Sequence, residues 1–272
     1  MTDKIIRGSG GPPPTPPSPT RAPDTLNSRQ FATIQDLLSE GEIEGFATPS
    51  KAGLTKGTTA YNNAALKDIF LDDTPILNSS ASNTNPQTTD FNFQNVGFTP
   101  RFGTANQLHI PGIESSQSLT GVGVTVTNST PVTRQITNTN VDAAKVVITF
   151  PQLQRATDEG DLLGSTVELK IQVQYNGGGF SDVLSDTITG RTADAYQKEY
   201  RVSFTGAFPV DIRVVRITAD STSSNLVDAF TWTSIGEIVD DKQTYPNSAY
   251  TNLSIDSEQF SSIPKRAFRI RG

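Results

Sequence analysis

The stretch Val167-Glu-Leu-Lys-Ile-Gln-Val-Gln-Tyr175 alternates apolar and polar residues along its whole length. Because successive side chains of a strand point to opposite faces, it predicts a β-strand with one face in a core. Asn176-Gly-Gly-Gly179 follows, and these residues adopt positive φ at little cost, which predicts a hairpin loop. Phe180–Thr189 is then the returning strand, and Tyr200–Phe204 alternates again. The stretch indicates a β-sheet unit and contains no catalytic signature.

Further short strands are predicted on both sides of this hairpin. They are expected at Ile69–Leu71 and Pro75–Leu77, which form a second hairpin, and at Leu119–Val126, Thr133–Ile136 and Lys145–Phe150. Polar turn residues separate them, as at Asn128–Pro131 and Asn138–Asn140. Strands at such regular spacing are typical of a sandwich or a barrel.

Two stretches depart from plain alternation. Phe31–Gln35 fits either a strand or the start of a helix, and a short helical turn is predicted over Asp36–Ser39. Val210–Ile217 begins with alternation and then shifts phase. One extra residue in a strand produces such a shift, which predicts a β-bulge near Val214 and Val215.

The composition indicates a chain that can bury a core but has few means of catalysis. Of its 272 residues 34% are apolar, and the net charge of −6 argues against nucleic-acid binding as the main role. The absence of cysteine excludes disulfides, thiolate metal sites and cysteine nucleophiles. No apolar run approaches a membrane span, and the N-terminus lacks the apolar core of a signal peptide. We therefore expect folding in a cytoplasm, without a cofactor.

Residues 1–25 form a tail that is rich in proline and glycine. Seven of the 17 prolines lie in it: Pro12, Pro13, Pro14, Pro16, Pro17, Pro19 and Pro23. Prolines remove backbone donors and this segment has almost nothing to bury, so it is expected to be extended or disordered in the isolated chain. It could be a proline-rich ligand for a partner's aromatic groove, but a flexible arm ordered by assembly is favoured.

Three local patterns offer chemistry, and a structural role is favoured for each. His109 is the only histidine, and it has no partner at ligand spacing. Ser39–Gly45 holds three carboxylates in five residues, for which a solvated turn is the better reading. Asp158–Asp161 resembles a calcium loop but lacks the other positions of an EF-hand. An acidic turn is favoured there, and a weak calcium site is left open.

Several stretches together resemble a known family. Those toward the C-terminus are Arg216–Ser221, Thr231–Asp240, Tyr245–Ala249 and Ile255–Phe260. Earlier ones match in the same order, namely Leu38–Gly45, Leu71–Ile76, Phe98–Thr104, Pro131–Arg134 and Leu169–Gln174. They are similar to the N-terminal part of the lambda-like siphophage tail-tip host-specificity protein J family, over about residues 30–272. No single motif is decisive, and the collinear order carries the resemblance.

The resemblance implies a structural hub at the distal end of a long non-contractile tail, and no enzymatic activity. Such a hub is usually a homotrimer around the tail axis. It docks against distal tail and tail-tip proteins and against the tape measure protein. It takes part in host attachment and genome ejection, and phage DNA passes its lumen without specific binding. The chain is therefore expected at the tail tip of the virion, after assembly in the host cytoplasm.

The same resemblance implies a division of the chain. The expected fold is mostly β, with a hub β-barrel domain made of residues 26–89 and 221–272. An inserted β-sandwich domain takes residues 90–220, and residues 1–25 are the disordered arm. The motifs supply these hub or interface candidates: Ser39, Glu40, Gly41, Gly45, Pro75, Trp232, Tyr245, Pro246, Asn247, Asp256, Ser257, Glu258, Gln259 and Phe260. No catalytic or metal-binding residue is assigned.

Receptor binding is expected only indirectly or through parts outside this sequence. Members of the family are normally much longer and carry a C-terminal receptor-binding tip, whereas this sequence stops at Gly272. The alternative function is a carbohydrate- or receptor-binding β-sandwich module, which would use exposed aromatic side chains. The only tryptophan, Trp232, lies instead in a strand-like stretch. An enzyme using paired carboxylates is a third and weaker alternative.

Overall fold

The computed structural model describes residues 18–26, 28, 31–256, 259–260 and 262–272. These residues are mostly β, which confirms the predicted fold class. They are organised around two hydrophobic cores. We name the part around each core: the split region comprises residues 31–112 and 242–272, and the sandwich region comprises residues 113–241.

The elements follow the chain in three blocks. The first block of the split region contains β1 (Phe31–Glu40), β2 (Gly45–Phe46), α1 (Ala47–Lys51), α2 (Thr59–Ala65), β3 (Ile69–Leu71), β4 (Thr74–Pro75) and β5 (Gly97–Phe102). The sandwich region contains β6 (Glu114–Thr125), β7 (Val132–Ile136), β8 (Ala143–Phe150), β9 (Gln154–Ala156), β10 (Leu162–Leu163), β11 (Ser165–Tyr175), β12 (Ser181–Gly190), β13 (Tyr196–Ser203), β14 (Val210–Arg216), β15 (Leu226–Val227) and β16 (Thr231–Asp240). The second block of the split region contains β17 (Ser248–Asp256), β18 (Arg266–Phe268) and β19 (Ile270–Arg271).

The central strand of the split region is β17, which joins the two blocks. It pairs antiparallel with β1 on one side and with β5 on the other, so that Phe31 lies opposite Asp256. One face of this sheet buries Leu253 and Ile255 in a core that also contains Phe46. Removing such side chains from water is the main favourable term in folding. The hairpin predicted at Ile69–Leu71 is present as β3 and β4.

The helical turn predicted over Asp36–Ser39 is wrong, because these residues lie in β1. The register against β17 shifts between Leu37 and Ser39, so Leu38 is an extra residue in the strand. Because the strand accommodates one extra residue, Leu37 and Leu38 interrupt the alternation, and the resulting apolar spacing resembles that of a helix. Pairing with a strand more than 200 residues away in the sequence therefore overrides the local pattern.

Two four-stranded antiparallel sheets form the sandwich region, in the orders β12-β11-β14-β7 and β13-β8-β16-β6. Their inward side chains share one core. In β11 the register is the expected one, since Val167, Leu169, Ile171 and Val173 are all buried. The hairpin from β11 to β12 turns at Asn176 and Gly177, both at positive φ, as predicted.

The β-bulge predicted near Val214 and Val215 is wrong, because β14 pairs with both neighbours without a shift in register. The alternation continues to Arg216, which takes the next inward position and is only 1% exposed. Its Nη2 donates to the Asp228 carboxylate at 2.8 Å, and its Nη1 donates to the Asp228 carbonyl at 2.6 Å. A buried charge is tolerated when it is paired and hydrogen-bonded. The apolar pattern loses its phase because a charged residue occupies a core position.

The sheets of the described residues are all open, and none closes into the expected barrel. The division of the chain into domains stays a prediction, but the two cores favour other boundaries than residues 90 and 220. β5 begins at Gly97 and pairs with β17 in the split region. β16 carries Trp232 and pairs with β6 and β8 in the sandwich region. Boundaries near residues 113 and 241 fit both cores.

The end of the predicted arm, residues 18–26, lies on the sandwich region. The Ala22 amide donates to the Leu162 carbonyl at 2.8 Å, and the Thr25 amide donates to the Arg191 carbonyl at 2.9 Å. The buried Arg191 guanidinium donates to the Ala22 carbonyl at 2.9 Å and pairs with Asp24. Residues 18–25, which were predicted to belong to a disordered arm, are therefore held against the sandwich region. Residues 1–17 of the predicted arm lie outside the described residues.

Candidate functional site

The candidate residues near Tyr245 form one end of the β1–β17–β5 sheet. The Gly41 amide donates to the Asn247 carbonyl at 2.7 Å. The Gln107 amide nitrogen donates to the carbonyls of Tyr245 and Ser248, each at 2.8 Å. Ser39 and Glu40 pair with the start of β17 across the same sheet. The structure thus brings two motifs, residues 39–45 and 245–249, together from opposite ends of the sequence.

Two glycines of this end allow a close approach of the backbone. A Cβ added to Gly103 would lie 2.3 Å from the Gly41 carbonyl oxygen, and a Cβ on Gly45 would lie 2.3 Å from the Tyr61 hydroxyl. Both glycines have positive φ, which favours glycine over other residues. The Phe46 amide donates to the Tyr61 hydroxyl at 3.1 Å, and burial raises the pKa of that hydroxyl. Gly45 therefore serves packing, and its motif carries a structural signal.

The carboxylates of Ser39–Gly45 do not converge on a site. Glu40, Glu42 and Glu44 are all exposed, and Glu44 forms an ion pair with Arg271 at 3.1 Å. In the described part of the chain, no three His, Asp or Glu side chains lie close enough together to hold a metal ion. The segment is an acidic turn at the surface of the split region.

The candidate residues near Asp256 form the opposite end of the same sheet. The side-chain amide of Asn95 donates to the Asp256 carboxylate at 3.1 Å. Gln94 and Gln259 exchange hydrogen bonds, with 2.6 Å between the Gln94 amide and the Gln259 side-chain oxygen. The rings of Phe93 and Phe260 stack at 5.1 Å. Ser257 and Glu258 lie outside the described residues.

Pro75 and Trp232 lie away from both ends. Pro75 is in β4, where its carbonyl accepts a hydrogen bond from the side-chain amide of Asn92 at 2.9 Å. Trp232 is fully buried in the sandwich core, and its indole donates to the Ser234 carbonyl at 2.9 Å. A buried indole cannot be the exposed platform of a carbohydrate site. The family motifs therefore mark four separate places in the structure: the two ends of the sheet, β4 and the sandwich core.

The acidic turn at Asp158–Asp161 anchors the N-terminal segment. The Asp161 carboxylate accepts from the Thr20 amide at 2.6 Å and from the Thr20 hydroxyl at 2.9 Å. These bonds lower the pKa of Asp161. His109 lies in a loop where its backbone carbonyl accepts from Arg101. Neither motif is built around a ligand among the described residues.

Sequence reasoning missed an apolar surface on the exposed face of β1. Leu37 is 65% exposed, and beside it lies a pocket of about 400 Å³ lined by Gln35, Leu37, Tyr245, Ser248 and Tyr250. The two tyrosine rings meet edge to face at 5.4 Å. The signal was present, because the exposed residues Phe31, Thr33, Gln35 and Leu37 alternate with half-buried ones. It was hidden by the adjacent Leu38.

The face with this pocket continues into a larger cleft between the two regions. The cleft has a volume of about 800 Å³, and Phe31, Asn252 and Ser254 line it from the split region. Thr25, Leu26 and Lys145 line it from the other side. The side-chain oxygen of Asn252 and the hydroxyl of Tyr250 are buried and make no hydrogen bond within the described residues.

No described helix has the length and apolar character needed to cross a bilayer.

Comparisons with known proteins converge on one family. The model of the tip attachment protein J FNIII-A domain matches residues 116–241, which coincide with the sandwich region. Tip attachment protein J of Escherichia phage SECphi4 is 32% identical over 268 residues, which are 98% of this chain and 21% of that protein. That of Escherichia phage SECphi27 is 30% identical over 97% of this chain and 20% of that protein. The chain spans about a fifth of the length of these curated relatives.

Solved structures add little to this. A CBM4 structure covers 66% of this chain and 95% of its own, at 12% identity and a TM-score of 0.22. The CBM22-1 xylan-binding domain of Xyn10C from Paenibacillus barcinonensis covers 53% of this chain and 87% of its own, at 9% identity and a TM-score of 0.25. TM-scores this low support no statement on fold or ligand. The sequence relatives confirm the expected resemblance: the chain is similar to tip attachment protein J over nearly its whole length, and residues 116–241 match the FNIII-A domain of that protein.

Proposed function

We propose that this chain is a structural component of a phage tail tip, and not an enzyme. The observation that carries the proposal is the similarity to tip attachment protein J over nearly the whole chain. The chain would form a homotrimeric hub around the tail axis, at the distal end of a non-contractile tail. It would contact distal tail proteins, other tail-tip proteins and the end of the tape measure protein.

The open sheets of the split region support assembly into a ring. β1 and β5 are the two outer strands of the sheet centred on β17 and have no further strand partner among the described residues. Phe31 and Leu37 expose apolar side chains on the face of β1. Unpaired strand edges invite uncontrolled pairing with other chains, and a closed ring removes them. We assign this edge to contacts between subunits of the tail tip.

The charge of the hub candidates suits a conduit for DNA. Glu40, Glu42 and Glu44 are exposed at one end of the sheet, whereas Asp256 at the other end is buried and adds no surface charge. An acidic lumen would repel the phosphate backbone, since proteins that hold DNA do so with basic residues. DNA would then pass during ejection without specific binding. Host attachment would involve this chain only indirectly, or through parts outside this sequence.

The decisive test is the symmetry of the tail tip in whole virions. We expect three copies of this chain around the axis in electron cryo-microscopy maps of purified tails. Six copies, or one unique copy, would refute the trimer. A strongly basic axial surface would refute the conduit and leave the trimer standing.

A pair of variants tests the edge itself. Phe31→Glu places a charge on the exposed edge strand, and we expect tails without infectivity, because the charge would be buried unpaired between subunits. Leu119→Glu is the matched control, since Leu119 on β6 of the sandwich region is 60% exposed, against 54% for Phe31. Normal tails with Phe31→Glu would show that this edge is not a subunit interface.

A further inference from the structure

The chain passes between the split region and the sandwich region at two places that lie side by side. The Asp241 amide donates to the Ile113 carbonyl at 2.7 Å, and Glu114 lies opposite Asp240 where β6 and β16 meet this boundary. Gly112 precedes the boundary at φ +84°, with open space around its Cβ position. Hinges consist of a few residues at the ends of elements, and two adjacent crossings leave rotation about them free.

Away from these crossings, the two regions face each other across the cleft of about 800 Å³. Asn252 and Ser254 contribute polar side chains to one wall, and Lys145 contributes one to the other. Lys242 pairs with Asp142 at 2.8 Å beside the crossings, but its side chain is 60% exposed. Exposed ion pairs stabilise little, and regions without a large apolar interface generally move relative to each other.

A third connection lies along the sandwich region, formed by residues 18–26 and 28, which we name the strap. The Gln197 amide on β13 donates to the Ser28 hydroxyl at 3.0 Å. Phe31, three residues further along the chain, begins β1 of the split region. Three residues span at most about 11 Å. The strap therefore ties β13 of the sandwich region to β1 of the split region through a short link.

The strap and the paired crossings hold the sandwich region at two distant points. Gln197 pairs with Thr149 on β8, whereas Ile238, near the end of β16, pairs with Ala143 on the same strand. Thr149 and Ala143 are six positions apart in β8, which is about 20 Å at about 3.3 Å per residue. Residues from both ends line the cleft. Two attachments this far apart fix an orientation that the crossings alone leave free.

The sandwich region has a seat that fits the strap. Arg191 is only 1% exposed, and its guanidinium donates to the Ala22 carbonyl at 2.9 Å and pairs with Asp24. Gly190 lies directly under the strap, because a Cβ at this position would be 2.6 Å from the Thr25 hydroxyl. A buried charge must be paired, so the attachment of the strap depends on Asp24.

From these observations we infer that the strap fixes the orientation of the sandwich region relative to the split region. Its release lets the sandwich region turn about residues 112–113 and 241–242 and opens the cleft. The movement leaves the strand pairs of both regions intact, because β17 and β16 each keep their partners. The strap is thus a restraint on the relative position of two folded regions.

The absence of cysteine makes a direct test possible in the full chain. Lys51→Cys on α1 and Ser185→Cys on β12 place one spin label on each region, both at exposed positions. Pulsed electron paramagnetic resonance then measures the distribution of distances between the labels. We expect a narrow distribution, since the strap holds the two regions in one orientation.

A longer link tests the restraint without removing any contact. An insertion of about eight Gly and Ser residues between Ser28 and Arg29 slackens the link, and such a linker spans about 15 Å. We expect the distance distribution to widen by a comparable length. The control is the same insertion between Gly177 and Gly178, in the hairpin of β11 and β12, which should leave the distribution narrow.

A point variant tests the anchor of the strap. Asp24→Ala removes the charged partner of Arg191, and we expect trypsin to cut after Arg21 ~10-fold faster, as for one lost hydrogen bond to a charged group. Asp211→Ala makes the same change on β14, away from the strap, and should not alter this rate. The fluorescence of Trp232 shows in each variant that the sandwich core remains folded.

Three results would overturn the inference. A distribution that stays narrow after the insertion at Ser28 would mean that the regions hold each other without the strap. A distribution that is broad before the insertion would mean that the strap does not fix their orientation. An unchanged rate of cleavage in Asp24→Ala would mean that the pair with Arg191 does not anchor the strap. These measurements use the isolated chain, so their outcome is independent of the trimer proposed above.

Discussion

The sandwich region and the split region differ in how their strands find one another. In the sandwich region β11 pairs with β12, the next strand in the chain, through a five-residue glycine-rich connection. In the split region β17 pairs with β1 and β5, across more than a hundred residues that form the whole sandwich region. Closing such a loop costs entropy before the contacts form. The difference teaches that β11 has a local partner whereas β17 has only distant ones, and the sandwich region itself contains one such pairing, since β16 joins β6 across more than a hundred residues.

The two regions also differ in how complete they are. The core of the sandwich region is closed by two facing sheets. The sheet of the split region buries one face in its core and leaves Phe31 and Leu37 exposed on the other. A domain whose sheet leaves an edge strand and apolar side chains open fits a role in assembly. Variants that act on one region only can sharpen this contrast.

The largest effect is expected from Ile171→Asp in β11. Ile171 is fully buried, and an unpaired carboxylate there costs on the order of 5 kcal/mol, comparable to the stability of a whole domain. We expect the sandwich region to unfold. The fluorescence of the single tryptophan, Trp232, reports on that core alone. Lys170→Ala is the control on the opposite face and should cost less than about 1 kcal/mol, because it removes only a surface ion pair with Asp182. Equal damage from both would mean that β11 is buried on both faces.

The next largest effect is expected from the buried ion pair of the sandwich region. Arg216→Ala leaves Asp228 buried without its partner, which should destabilise the region by about 3–5 kcal/mol in urea unfolding. The double variant Arg216→Met/Asp228→Leu removes both charges and should recover most of that loss. A double variant as unstable as Arg216→Ala would show that the bonds of Arg216 to the Thr218 and Ala219 carbonyls, rather than the charge, hold this corner.

The sequence predicted the sandwich region well wherever alternation was uninterrupted. The core positions of β11 and the turn at Asn176 were read correctly, because strand period and turn chemistry are local properties. The prediction failed at Arg216, since a pattern of apolar residues cannot show that a guanidinium occupies a core position. Its partner Asp228 is twelve residues away, and their contact is set by the packing of two sheets.

The candidate site was predicted only through the family resemblance. The motifs around Gly41 and Tyr245 were named, but their meeting at one end of a sheet was not, because it requires the pairing of β1 with β17. The pocket of Leu37, Tyr245 and Tyr250 was missed for the same reason. The extra residue Leu38 gives β1 an apolar spacing that resembles a helical turn. Local sequence patterns also do not show which strand β1 pairs with.

A smaller effect is expected from a glycine that lets two parts of the split region touch. Gly103→Ala places a Cβ 2.3 Å from the backbone oxygen of Gly41 and also strains a residue at φ +88°. We expect a loss of about 2–4 kcal/mol in thermal unfolding. Gly53→Ala is the matched control, because Gly53 has φ +64° but open space around its Cβ position. It should cost about 1 kcal/mol. Similar losses would mean that strain alone, and not the close approach, requires glycine.

The smallest effect is expected from acid, and it should fall on the sandwich region. Burial alone would raise the pKa of Asp186, but hydrogen bonds from Lys198 and Tyr200 outweigh it and lower that pKa below its ordinary value of 3.8. The Tyr200 hydroxyl donates to Asp186 at 2.6 Å, and the Lys198 ammonium lies 2.6 Å from the same oxygen. A carboxylate whose pKa is depressed in the folded state stabilises that state above its unfolded pKa. The contribution is lost as the pH falls through the folded pKa.

We therefore expect the free energy of unfolding of the wild-type chain, measured with urea and followed by Trp232 fluorescence, to decrease between pH 5 and pH 2. Asp186→Asn should reduce this decrease, by about 1 kcal/mol or less, because the carboxylate is partly exposed to solvent. Tyr200→Phe removes one of the two donors and should reduce it by a smaller amount. An unchanged pH dependence in Asp186→Asn would assign the acid sensitivity to other carboxylates. Asp142 is the first to test, because bonds from Lys242 and Asp240 outweigh its burial and lower its pKa in the same region.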